Sequence, residues 1–255
     1  MHGRNRQLTR EGTKIDYTVH GKGDRSVIAI HGFCLSKNSF SGLTPLIDGM
    51  KLVTVDLRGH GGSELGDSTK KTYFGDCAKD VRAVMEAEGV TDSVILGSSM
   101  GGLVGIRLVE ELGGTGVIRL FLECPVLTDP FKNFPDTALS GLLRLAGGNA
   151  VAIIAKANGS GELLIDLLAG GIGFNLAFFV TRFGSNFKPS RANLENLWGH
   201  LFRVTPKGVV TSYEAMREEA EGIGNRIGVL GVPIFLMGCG TDPFVDWRYL
   251  YKRFV

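Results

Sequence analysis

The stretch Val94-Ile95-Leu96-Gly97-Ser98-Ser99-Met100-Gly101-Gly102 limits the fold of this 255-residue chain more than any other. An apolar run leads into Gly-x-Ser-x-Gly, and the helix-like Leu103-Val104-Gly105-Ile106-Arg107-Leu108 follows. That order specifies a strand, a turn so sharp that its central residue takes an unfavourable backbone angle, and a helix. Residues two places either side of the centre must carry almost no side chain, and Gly97 and Gly101 meet that demand. By this spacing Ser99 is the nucleophile and Ser98 only its neighbour. A plain glycine-rich turn is the competing account, and the surrounding sequence has to decide between the two.

Upstream, Ser26-Val27-Ile28-Ala29-Ile30 reads as a short buried strand running into His31-Gly32-Phe33. Between it and the Ser99 segment lies Leu52-Val53-Thr54-Val55, followed by Asp56-Leu57-Arg58-Gly59-His60-Gly61-Gly62-Ser63. With the opening Gly12-Thr13-Lys14-Ile15-Asp16-Tyr17 and the late Gly238-Cys239-Gly240-Thr241-Asp242-Pro243, these segments stand in the order found in one superfamily. The chain resembles the α/β-hydrolases, in the branch of single-domain serine esterases, C–C hydrolases and haloperoxidase-like enzymes. The resemblance implies an α/β fold: a mostly parallel twisted sheet with helices on both faces and an inserted helical cap.

The rest of the chain agrees. Short apolar strands alternate with helical stretches, as a parallel sheet wrapped on both sides requires. Tyr73 to Glu88 reads as a helix with an apolar stripe of Cys77, Val81, Val84 and Met85, and Val117 to Leu122 as the next strand. From about Val126 to Gly228 the chain is glycine-dotted and helix-like, and strand character resumes at Val232 to Met237. The expected organisation is therefore a first core segment at 1–125, a cap at 126–228 and a second core segment at 229–255. Within the cap, Leu163 to Val180 is apolar enough to raise a membrane span, but Asp166, Asn175 and glycines 170, 171 and 173 interrupt it. A charge at mid-bilayer is costly, so a cap packed over the site is the better reading and no stable membrane span is expected. Phe174, Phe178 and Phe179 would then line an apolar pocket or simply fill the cap's interior.

Charge and cysteines narrow the partners. The formal net charge is +2, from 28 basic and 26 acidic residues, which gives no electrostatic reason for nucleic-acid binding. Cys34, Cys77, Cys124 and Cys239 show neither metal-ligand nor disulfide spacing, so reduced thiols in a cytoplasmic protein are expected. The first residues carry charge with no apolar stretch behind them, unlike a secretory signal.

A serine hydroxyl is a weak nucleophile until a base within hydrogen-bond reach takes its proton, and an acid orients that base. The resemblance implies that Asp242 is this acid, with Asp246 a lesser alternative and a plain turn aspartate the other account. It also implies an oxyanion hole formed by the backbone amides of Phe33 and Met100, with His31, Gly32, Gly97 and Gly101 supporting the motif loops. The base histidine of the family follows the acid on a later strand, and none follows Asp242 here. The last strand and helix of the fold are expected to be missing, and His200, in the cap, is a weak substitute. Three accounts stay open: a fragment, a hydrolase that binds without cleaving, or a base recruited from elsewhere. The expected function is hydrolysis of a small apolar ester or acyl substrate through a Ser99 acyl-enzyme, impaired in this chain, with no metal or cofactor. The alternative is an inactive hydrolase-fold ligand-binding or interaction protein.

Overall fold

A computed structural model describes residues 3–129, 161–170, 175, 190–238, 248 and 251–252. Asp242, Asp246, Cys239, Phe174, Phe178 and Phe179 lie outside these, as does much of the expected cap. Among the described residues seven strands form one sheet: β1 (Arg4–Arg10), β2 (Thr13–Gly21), β3 (Arg25–Ile30), β4 (Lys51–Val55), β5 (Asp92–Ser98), β6 (Val117–Glu123) and β7 (Ile234–Met237). Their spatial order is β1-β2-β4-β3-β5-β6-β7. β1 and β2 form an antiparallel hairpin, β2 joins β4 antiparallel, and every pair from β4 to β7 is parallel. The helices with described bounds are α1 (Tyr73–Ala87), α2 (Met100–Leu112), α3 (Gly161–Ala169), α4 (Arg191–His200) and α5 (Pro206–Gly224).

The central strands read as apolar runs because both of their faces are covered. Ile28 and Ile30 of β3, with Val53 and Val55 of β4, turn to the main core, which α1, α2 and α5 complete with Phe74, Val81, Leu103, Ile106, Met216 and Ile223. Ala29 and Leu52 point the other way, onto Phe40 of a 3₁₀ segment at Lys37–Leu46. The expected stripe of α1 is wholly buried at Cys77, Val81 and Val84 and nearly so at Met85. Helix α5 lies inside the stretch read as cap, yet it places Ala215, Met216, Ala220 and Ile223 in the main core. Its start is set by Thr205, whose hydroxyl accepts from the Gly208 amide at 3.0 Å, and by Pro206 in the first turn.

Strand order fixes where a site can form. The chain passes from β3 to β4 on one side and comes back to β5 on the other, so β3 and β5 are neighbours whose following loops diverge. In open α/β sheets the crevice outside such strand ends is the place for a ligand. The loop after β3 is His31-Gly32-Phe33, and the turn after β5 carries Ser99. No helix among the described residues is long and apolar enough to cross a membrane.

Candidate functional site

Ser99 joins β5 to α2 with φ 52° and ψ −116°, a conformation that residues with a Cβ seldom adopt. Three backbone contacts hold it there. Its amide donates to the Glu123 carbonyl at 2.8 Å, and its own carbonyl accepts from Gly102 at 3.0 Å and Val126 at 3.3 Å. The flanking glycines are needed for space. A Cβ on Gly97 would stand 2.6 Å from the Gly101 carbonyl oxygen, and one on Gly101 would run into the carbonyls of Ile30 and His31. Helix α2 therefore lies directly against the end of β3. Ser98, the other serine, ends β5 opposite Glu123.

The loop after β3 reaches the same place. A Cβ on Gly32 would lie 3.1 Å from the Ser99 Cβ, so Gly32 packs directly on that serine. Met100 is the first residue of α2 and has no carbonyl one turn behind it within the helix. Neither its amide nor that of Phe33 donates to a backbone carbonyl among the described residues. The helix N-terminus also places partial positive charge beside Ser99. Phe33 bridges the main core and a smaller apolar cluster of Cys34, Ile165, Val209 and Tyr213, so α3 and α5 cover this side of the loop. Burial raises the Cys34 thiol to about 12, which keeps it neutral.

The Asp56-to-Ser63 loop supports both. Asp56 accepts from the Lys37 amide at 2.6 Å, the Lys37 ammonium at 2.7 Å and the Gly62 amide at 2.9 Å. Lys37 also pairs with Asp16 at 2.7 Å. Burial works against the Lys37 charge, but hydrogen bonds to Asp16 and Asp56 outweigh it and raise its pKa. Arg58 grips Asp80 of α1 through two bonds, at 2.6 and 3.1 Å, and Asp80 takes a third from Arg10 of β1 at 2.6 Å. Sequence reasoning missed Asp80, Arg10 and Lys37. A signal for Asp80 was available, because it stands three residues after Cys77 and four before Val84, on the apolar stripe of α1, where a carboxylate demands a cation.

The histidines divide. His31 and His60 are fully buried, their rings 5.3 Å apart. The Leu57 amide donates to His31 Nε2 at 3.0 Å, and His31 Nδ1 lies 2.8 Å from the Gly32 carbonyl. His60 Nδ1 lies 3.0 Å from the Arg58 carbonyl. Burial lowers the pKa of His31, and burial together with His31 pushes that of His60 down to about 3. Both rings are therefore neutral and committed to loop contacts. His200 ends α4, half-buried, two residues after Trp198, whose ring nitrogen donates to the Ala169 carbonyl at 3.1 Å and so ties α4 to α3. Among the described residues no group of three or more His, Cys, Asp or Glu side chains is placed to hold a metal ion.

Comparison with known proteins gives the same answer as the topology. Residues 25–252 match the family model described as the alpha/beta hydrolase fold. A curated relative, the dihydrolipoyllysine-residue acetyltransferase component of the acetoin cleaving system of Cupriavidus necator, is 33% identical over 132 residues, covering 51% of this chain and 33% of that protein. The chain thus spans about a third of the length of that relative. Among solved structures, an esterase from Exiguobacterium antarcticum superposes with a TM-score of 0.68 at 20% identity, covering 95% of this chain and 83% of the other. A bromoperoxidase from Bacillus anthracis superposes at 0.69 and 17% identity, covering 97% and 85%.

Proposed function

The chain belongs to the alpha/beta hydrolase family, and from that premise we propose that it is a serine hydrolase acting on a small, largely apolar ester or related acyl substrate. The observation that carries this reading is the placement of Ser99. It sits in a strained turn at the start of α2, in contact with Gly32 of the neighbouring loop. A strained residue anchored by three backbone bonds supports a functional role, since backbone strain of this kind concentrates at active sites and ligand clamps.

In the proposed reaction Ser99 Oγ attacks the acyl carbonyl carbon and its proton passes to a base. The Met100 and Phe33 amides hold the oxyanion, the alcohol leaves with the proton, and water then hydrolyses the acyl-enzyme. Such donors act mainly on charge that develops in the transition state, and each is worth about 10²–10³ in turnover. Asp242 is proposed to orient the base. His31 and His60 are poor bases, because burial disfavours the protonated ring that a base must become, and loop contacts engage both nitrogens of His31. His200 stays a candidate for that task. The apolar side chains beside Phe33, Ile165, Val209 and Tyr213 support an apolar substrate.

The test is covalent labelling with a fluorophosphonate. Wild type and Ser98→Ala should take up one adduct, mapped to Ser99, while Ser99→Ala should take up none and lose ester turnover by on the order of 10⁴-fold or more. Labelling that survives Ser99→Ala and vanishes with Ser98→Ala would overturn the assignment. An unlabelled but correctly folded wild type would favour the second reading, a hydrolase-fold protein that binds without cleaving.

A further inference from the structure

Helix α5 is anchored near both ends on loops that leave the same edge of the sheet. At its start, Thr205 N–H donates to the Gly59 carbonyl at 2.8 Å, and a Cβ on Gly59 would stand 2.7 Å from the Gly208 Cα. At its end, a Cβ on Gly224 would stand 2.6 Å from the Leu127 carbonyl oxygen. Gly59 follows β4 and Leu127 follows β6, and β3 and β5 lie between those strands. From Gly208 to Gly224 the helix runs about 24 Å, enough to cross the roughly 14 Å that separate four neighbouring strands from first to last. It therefore passes over the ends of β3 and β5, where Phe33 and Ser99 are. In mid-span, one turn apart on the same side, stand Tyr213 and Arg217.

Tyr213 belongs to the apolar cluster beside Phe33 and Cys34, and the Arg217 guanidinium lies over its ring, 5.9 Å from the centroid. Burial raises the pKa of the Tyr213 phenol and the Arg217 charge offsets that only in part, so the hydroxyl stays protonated. Arg217 Nε is also 3.7 Å from Asp129 Oδ2, and Asp129 is three residues past Val126, whose amide bonds the Ser99 carbonyl. At 3.7 Å two charges attract without a hydrogen bond. The Asp129 side chain is 8% exposed and that of Arg217 52%, so a buried carboxylate steadies a cation that remains open to solvent. A counter-ion and nothing more closes on its carboxylate, as Arg58 does on Asp80 at 2.6 and 3.1 Å. Arg217 stops short. The neighbouring carboxylate, Glu218, is paired with Lys70 and does not compete for it. A planar guanidinium oriented by a ring and a buried acid is pre-organised for a planar anion.

We propose that Arg217 is a specificity-determining residue that binds a carboxylate at the far end of the acyl chain, so that the site takes monoesters of dicarboxylic acids. This rests on the reading of Ser99 as nucleophile. The methylenes between ester and acid run along the apolar cluster of Phe33, Val209 and Tyr213, and the free acid ends at the guanidinium.

The test compares 4-nitrophenyl esters in matched pairs on the full chain: the monoesters of glutaric, adipic and suberic acid, each against the ester of the straight-chain monocarboxylic acid of the same length. In the best pair wild type should favour the acid-bearing ester by about 10–10²-fold in kcat/KM, the scale of a charge-assisted contact, and the gain should lie in KM because the contact is remote from the bond that breaks. Arg217→Gln should bring that ratio to about one, and Arg217→Lys should keep part of it. Each figure is a ratio within one protein, so a loss of folded protein does not imitate the result. A wild-type ratio near one at every length, or a ratio that Arg217→Gln leaves unchanged, would overturn the proposal. If wild type hydrolyses neither member of any pair, the Ser99 reading has failed, and calorimetry with 6-oxoheptanoate against 2-heptanone decides the carboxylate site by itself. Tighter binding of the keto acid that Arg217→Gln abolishes retains the site, and equal binding of the two removes it.

Discussion

The Asp56-to-Ser63 loop and strand β7 reverse the usual distribution of polar and apolar groups. Asp56, Arg58, His60 and Ser63 are at most 4% exposed, whereas Phe235 and Met237 of β7 are 50% and 39% exposed. The buried loop is tolerable because its charges have partners: Asp56 has Lys37, and Arg58 has Asp80. Its serine accepts from Asp16 and donates to the Asp56 carbonyl. Strand β7 pairs with β6 alone among the described strands, and the Phe235 ring is stacked on Phe121 with centroids 4.8 Å apart. Polar partnering thus fixes the loops that flank Ser99, while β7, the last strand of the described sheet, turns Ile234 and Leu236 to the core and leaves Phe235 and Met237 partly exposed. Substitutions should be felt strongly in the first region and weakly in the second.

The largest effect should come from Asp80→Ala. Removing that carboxylate leaves Arg58 buried without its counter-ion, and breaking such a pair from one side costs about 3–5 kcal/mol. Urea unfolding at neutral pH measures it. A loss no larger than a surface substitution gives would erase the contrast between the two regions.

The neutral histidines sharpen the comparison through pH. The folded protein holds His60 down at about 3, against 6.5 for an unhindered histidine, so between these values the unfolded chain binds a proton that the folded chain refuses. Stability from His60 is present above 6.5 and drains away as the solution is acidified, by about 1.4 kcal/mol per pH unit. His31 acts in the same direction. Against wild type, His60→Gln should therefore show a shallower loss of unfolding free energy between pH 6 and pH 4.5. Parallel curves for the two proteins would mean that His60 is not kept neutral by the fold.

The smallest change belongs to β7. Phe235→Thr removes a half-exposed ring and should lower the unfolding free energy by only about 1 kcal/mol, the scale of one aromatic pair. The same variant should aggregate more slowly on heating, followed by light scattering, because it removes an exposed apolar ring of the kind that invites association between chains. A loss near that of Asp80→Ala would show that β7 is as deeply fixed as the motif loops.

These two regions also mark what the sequence made legible. Strands β3 and β4 are visible as apolar runs since both faces are buried, β5 and β6 as runs with one face buried and the other partly covered, and the Ser99 turn through the spacing of its glycines. Strand β1 is mostly polar and exposed, and carries no such run. Strand β2 does alternate, with Ile15, Tyr17 and Val19 buried, but its period of two is easily passed over in a stretch read for its motif. The Arg10–Asp80–Arg58 triad was not legible at all. Its members are 70 and 22 residues apart in sequence, and only the folded sheet makes them neighbours.

That triad joins two distant parts of the molecule. Strand β1 is at the far edge of the sheet from Ser99, with β2, β4 and β3 between it and β5. Yet Arg10 shares the Asp80 carboxylate with Arg58, and Arg58 anchors the loop that hydrogen-bonds His31. A protease that clipped the polar, exposed first strand would touch nothing near the serine. It would still act on the loop through electrostatics, because it takes one of two guanidinium partners from Asp80, and the damage would register around a serine whose own neighbours were all still in place.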